Sequence, residues 1–133
     1  MANGTVPEEI SDTEELARFV VFNNWIRNDN TVKPEAFMPH PYLDLSVTRR
    51  IGLSGEELWT IGRAVAAKRS RPLHGSADII VAVVKSQELL VQSAPVAENL
   101  NHANVKGWPT SKPEQKMKAL EIANTAIFSR YTT

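Results

Sequence analysis

Residues 42–72, YLDLSVTRRIGLSGEELWTIGRAVAAKRSRP, set a strand pattern directly against a helix pattern. Leu43, Leu45 and Val47 alternate with Asp44, Ser46 and Thr48, the period of two that marks a strand with one buried face. Its polar face runs Tyr42, Asp44, Ser46, Thr48, Arg50. Four residues later Ser54-Gly-Glu-Glu57 forms a capping box: the serine accepts the N3 amide while Glu57 reaches back. Leu58, Ile61 and Val65 then repeat at helical spacing, and Lys68, Arg69 and Arg71 suit the negative end of the helix dipole before Pro72. The spacing predicts a helix over 54–69 whose stripe packs on Leu43, Leu45 and Val47.

Upstream, LARFVVFNNWI (16–26) is apolar and aromatic and reads equally as a short helix or a strand. Asn28-Asp29-Asn30 is a turn, and Pro34, Pro39 and Pro41 keep the following stretch extended. Residues 1–12 form an acidic, flexible lead-in, with the globular domain over 13–133. Downstream, Ile79, Ile80, Val83 and Val84 fit a helical stripe capped by Ser76, although their β-branching argues for a strand. Leu89-Leu90-Val91 and His102–Trp108 read as short strands. A last helix starts near Ser111, with Met117, Leu120, Ala123, Ile127 and Tyr131 as its buried stripe and Glu114–Lys118 as an i,i+4 pair. The whole reads as α+β: one domain, a small, mostly antiparallel sheet flanked by about three helices.

Composition narrows the function. The 133 residues carry 15 basic and 15 acidic side chains, so no global field draws the chain to nucleic acid or membrane. With no cysteine, disulfides, thiolate catalysis and sulfur-ligated zinc are excluded. The longest apolar run, Ile79–Val84, is too short to span a bilayer, and the N-terminal composition lacks a signal's basic and apolar regions; a cytoplasmic location is the expectation. His40, His74 and His102 are isolated from one another, so no metal site is expected, and nothing calls for a cofactor. Neither phosphate-loop nor nucleophile-elbow patterns occur, and the chain leans away from being an enzyme.

Two segments carry more chemistry than folding asks of them. Arg69-Ser-Arg-Pro-Leu-His74 is a basic turn whose guanidinium forks suit phosphate; dipole complement and capping explain much of it equally well. Asn99–Pro109 crowds amides, an imidazole, an ammonium and an indole; the competing reading is a core tryptophan with asparagines satisfying turns. Candidate ligand-binding residues are therefore Arg49, Arg50, Arg69, Arg71, His74, His102, Asn104, Lys106 and Trp108.

The strings LDLSVTRRIGLSGEELWTIG and HANVKGWP, spanning roughly residues 37–126, resemble a family of small bacterial proteins of unknown activity. The resemblance implies no catalytic residue. Three functions follow as expectations. The first is a non-catalytic domain that binds a protein partner or itself, with Phe19, Phe22, Trp25 and Phe37 as its apolar surface unless they belong to the core. The second is a small enzyme or a nucleotide- or phosphate-binding domain built on the two segments. The third is an RNA or single-stranded DNA binder with Trp108 as a stacking platform.

Overall fold

The computed structural model describes residues 6–39 and 43–132. Tyr42, His40 and Pro41, named above, lie outside the described residues. The described chain forms six strands, β1 (Glu15–Val20), β2 (Leu45–Arg49), β3 (Gly75–Ile80), β4 (Leu90–Ser93), β5 (His102–Lys106) and β6 (Ile127–Arg130). They make one sheet in the order β4-β5-β2-β1-β3-β6, with every neighbouring pair antiparallel. Three helices, α1 (Gly55–Lys68), α2 (Val81–Ser86) and α3 (Lys112–Thr125), complete an α+β fold. Among the described residues, no helix is long and apolar enough to cross a membrane.

The crossovers decide which helix covers which face. Strands β2 and β3 flank β1, so α1, which joins them, lies across β1. There Leu58 packs on Ala17 and Phe19, with Leu53, Ile61, Val65 and Leu73 around them. On the opposite face lies the main core: Leu16 and Val20 of β1, Leu45 and Val47 of β2, Ile79, Val105, Trp108 and Ile122. The alternation of β1 between these two clusters is the period of two at work. The α1 stripe thus packs on β1, across the sheet from Leu45 and Val47 rather than against them. The pattern of β2 reads its buried face correctly, but only the crossover says which helix meets that face.

The predicted capping box is present: Glu57 N–H donates to Ser54 Oγ at 3.1 Å and Ser54 N–H to Glu57 Oε1 at 2.8 Å. Residues 16–26 resolve into strand β1 followed by a 3-10 turn at Asn23–Trp25. Pro34 does not hold an extended chain; it opens a second 3-10 turn, Pro34–Phe37, because proline is pre-set for a first helical position. Ser76 caps nothing. It is buried in β3, between β1 and β6; the ladder to β1 continues through Ile79 and Ile80 and suits their β-branching, and the helix is confined to α2.

The α3 stripe also differs from its expectation. The helix stops at Thr125, Ile127 is 70% exposed in β6, and Met117 and Leu120 are 69% and 40% exposed. Ala123 is buried as expected, but it is joined by Gln115, Ala119 and Ile122; the two alanines allow close approach, and Gln115 Nε2 satisfies itself on the Pro109 carbonyl at 2.8 Å. Lys118 turns away from Glu114 to donate to the Gln87 carbonyl at 2.6 Å.

Arg49 pins the chain around Pro7–Glu14. Its guanidinium is fully buried, pairs with both Glu14 oxygens at 2.8 and 2.9 Å, and donates to the carbonyls of Pro7 and Glu9. The described part of the acidic lead-in is therefore tied to the sheet.

Candidate functional site

Because α1 covers β1, the neighbouring part of the same face, over β2 and β5, is left open. The register places Ser46 opposite Asn104 and Thr48 opposite His102 on that face. The C-terminal half of α1 overhangs it, and the loop 96–99 closes the far side. Between them lies a cleft of about 310 Å³ lined by Arg18, Ser46, Val65, Lys68, Arg69, Val96, Glu98, Asn99 and His102 among others. A smaller recess of about 40 Å³ continues inward to Ala17, Phe19 and Thr48.

Arg18 is the unusual member. It stands on β1 at the core-facing register between Leu16 and Val20, yet it is an arginine and is only 6% exposed. The pairing of β1 with β2 is limited to Leu16–Arg49 and Ala17–Thr48, while β1 stays paired with β3 to its end. Arg18 fills the resulting split: Nη1 donates to the Ser46 carbonyl at 3.0 Å and Nε to the Ala36 carbonyl at 2.8 Å. Its guanidinium lies 5.5 Å from the centre of the Trp25 ring.

A ladder of arginines and rings extends from there. Trp25 and Phe22 have ring centres 4.8 Å apart, and Phe22 carries Arg71 at 4.2 Å and Arg69 at 5.3 Å. Aromatic faces orient a guanidinium without neutralising it. Among the described residues, Arg18, Arg69 and Arg71 form no ion pair. Burial first, and the Arg69 charge second, pull the pKa of Arg18 down to about 10. The group still carries its charge at neutral pH. Among the described residues the one carboxylate lining the cleft, Glu98, is engaged by Lys68 at 2.9 Å across the rim.

His102 is held from behind. Its Nδ1 lies 2.8 Å from the Ala94 carbonyl, which can only accept, so Nδ1 carries the hydrogen. In the neutral ring Nε2 is then a lone-pair acceptor, and no described residue bonds to it. Asn99 and Asn101 are braces: Asn99 Nδ2 donates to Thr48 Oγ1 at 2.9 Å, its Oδ1 accepts from Asn101 N–H at 3.0 Å, and Asn101 Nδ2 donates to the carbonyls of Arg49 and Ile51.

Of the nine residues singled out in the sequence, the fold brings Arg69 and His102 into the cleft and sets Arg71 beside it through Phe22. The others do not line it. Arg49 is occupied by Glu14, and Arg50 pairs with Asp78. Lys106 pairs with Asp44 at 3.4 Å. Trp108 is a core side chain, 4% exposed, whose indole N–H bonds the Val105 carbonyl at 3.0 Å, so it offers no stacking platform. Asn104 is half-buried beside Ser46, and His74 is half-buried where its backbone joins Val20 and Tyr131. Phe19 and Phe37 are core residues, which removes half of the expected apolar surface.

Arg18, Ser46, Lys68 and Glu98 were not singled out. Arg18 does leave a signal, a cation on the buried register of a strand; the others depend on which elements meet. Among the described residues, no three His, Asp or Glu side chains converge as a metal site would require. Comparison of the chain with family models, curated proteins and solved structures found no match.

Proposed function

We propose that this domain binds a phosphorylated small molecule, of the size of a mononucleotide or sugar phosphate, in the cleft between α1 and strands β2 and β5. The observation that carries this reading is Arg18, a buried guanidinium with no carboxylate partner among the described residues, facing a second unpaired arginine, Arg69. A buried charge without a counter-ion is costly, and an anion placed between the two guanidiniums relieves that cost. Arginine forks match phosphate oxygens in geometry as well as charge, and the partly desolvated setting strengthens the contact. The cleft volume, about 310 Å³, lies at the lower end of the range for small-molecule sites. The cytoplasmic setting expected from the sequence suits such a ligand.

The test is a thermal-shift titration with inorganic phosphate and a panel of mononucleotides and sugar phosphates. A ligand at a hundred times its Kd stabilises the fold by about 2.7 kcal/mol. The shift should vanish in Arg69→Ala. Absence of any shift with the wild-type chain, at millimolar ligand, rejects the reading.

Partner binding, the other expectation, draws on a separate surface. Met117 and Leu120 stand exposed on α3 beside Gln87 and Glu121. Sedimentation of the wild type and of a Met117→Lys variant at two concentrations tests self-association there.

A further inference from the structure

Resting on that reading, we propose that His102 makes the cleft select a terminal phosphate carrying a proton over anions that cannot carry one, sulfate and the phosphodiester of nucleic acid included. The reasoning begins with the Ala94 carbonyl. It fixes the hydrogen on Nδ1 and leaves Nε2 of the neutral ring as an acceptor in a site otherwise furnished with donors. Arg18, from β1, Lys68, from the end of α1, and Arg69, its C-cap, can only donate. The Asn99 carbonyl oxygen is already taken by Asn101 N–H, and Glu98 stands at the rim against Lys68.

An anion held by the two arginines against His102 therefore meets one nitrogen that can only accept, whereas the Ser46 hydroxyl can turn to donate. Inorganic phosphate retains a P–OH through neutral pH and can donate to it. A phosphomonoester, with its second ionisation near pH 6, reaches the same arrangement by bringing in one proton. Sulfate has no proton to offer, nor has a phosphodiester, and each sets an oxygen lone pair against that of nitrogen. When the imidazole itself is protonated, Nε2 donates instead and the discrimination disappears. The ligand class narrows to phosphomonoesters, and the backbone of RNA or single-stranded DNA is disfavoured.

The experiment compares inorganic phosphate with sulfate by calorimetry or NMR titration. It is run above and below the His102 titration, which is located from the ring C–H resonance lost in His102→Phe. Above that titration phosphate should bind at least about tenfold tighter than sulfate, a ratio set by one hydrogen bond to a charged ligand. Below it the two should converge, through a gain in sulfate. His102→Phe should erase the preference at high pH, while Glu98→Gln should keep it. Equal affinities in the wild type at high pH, or a preference that survives His102→Phe, overturn the proposal and leave the cleft an anion site. If neither anion binds at any pH, the cleft reading fails and the selectivity falls with it.

Discussion

Arg18 reaches from β1 to the Ser46 carbonyl of β2, Nη1 to oxygen at 3.0 Å, where the two strands no longer pair. A guanidinium replaces the strand ladder there. The split that admits it also opens the floor of the cleft, so one residue closes the backbone accounting and supplies the site's charge.

This dual role predicts a separation of stability from binding. In Arg18→Met an apolar chain of similar reach fills the split, and the carbonyls of Ala36 and Ser46 each lose a donor. The loss of two hydrogen bonds is offset by removal of a desolvated charge. The unliganded fold should change by no more than about 1 kcal/mol, while phosphate-induced stabilisation is abolished. Calorimetric melts with and without inorganic phosphate measure both. A variant that binds phosphate as the wild type does would remove Arg18 from the site.

The other buried arginine predicts the opposite. Arg49 is satisfied by Glu14 and two backbone carbonyls, so Glu14→Gln leaves it charged and uncompensated; the loss should be about 3–5 kcal/mol. The hydrogen bond from Arg49 holds the Glu14 carboxyl below the ordinary range. The folded state therefore releases this proton more readily than the unfolded chain. Its contribution is fully present above the unfolded value, near pH 4.5, and drains away as pH falls through the lower folded value. Urea midpoints from pH 6 to pH 3 should fall less steeply in Glu14→Gln than in the wild type.

Local signals carried much of this fold. The alternation of Leu45 and Val47 and the Ser54–Glu57 box depend only on nearby residues, and both stand in the structure. What misled was set by distant partners. Isoleucines 79 and 80 satisfy a helix or a strand until β1 is known to pair with them, and Met117 reads as core because its own helix cannot show which side meets the sheet. The cleft follows the same division. Arg69 and His102 are conspicuous in the sequence, but Glu98 and Lys68 acquire meaning only when α1 and the 96–99 loop meet.

Close packing of α1 on β1 predicts that Gly62→Ala destabilises, although alanine favours an isolated helix by about 1 kcal/mol. A Cβ at Gly62 would lie 2.7 Å from a Phe19 ring carbon and 3.1 Å from Leu73. Phe19 is buried against Leu58 and cannot yield without shifting α1, so the cost of overpacking, about 1–3 kcal/mol, should win. Leu58→Ala, which empties the same contact, should cost about 2–5 kcal/mol. Chemical-denaturation midpoints decide both, and a Gly62→Ala protein more stable than the wild type would mean that the helix has room to move.

Finally, the Lys68–Glu98 pair bridges the cleft rim from α1 to the 96–99 loop at 2.9 Å. Both side chains are substantially exposed, so the pair adds little to the fold, and Glu98→Gln should leave the melting temperature essentially unchanged. Binding is different, because an arriving phosphate must share Lys68 with Glu98 and lies in the field of that carboxylate. Removing the negative charge should raise phosphate affinity by on the order of two- to fivefold at low ionic strength. The gain should shrink in half-molar salt, where screening extends over only a few ångströms. Lys68→Gln should shift affinity the other way. Titrations of the three proteins at two salt concentrations provide the check. Unchanged affinity in Glu98→Gln at low salt would place the bound phosphate deeper, on Arg18 and Arg69 alone, beyond the influence of the rim.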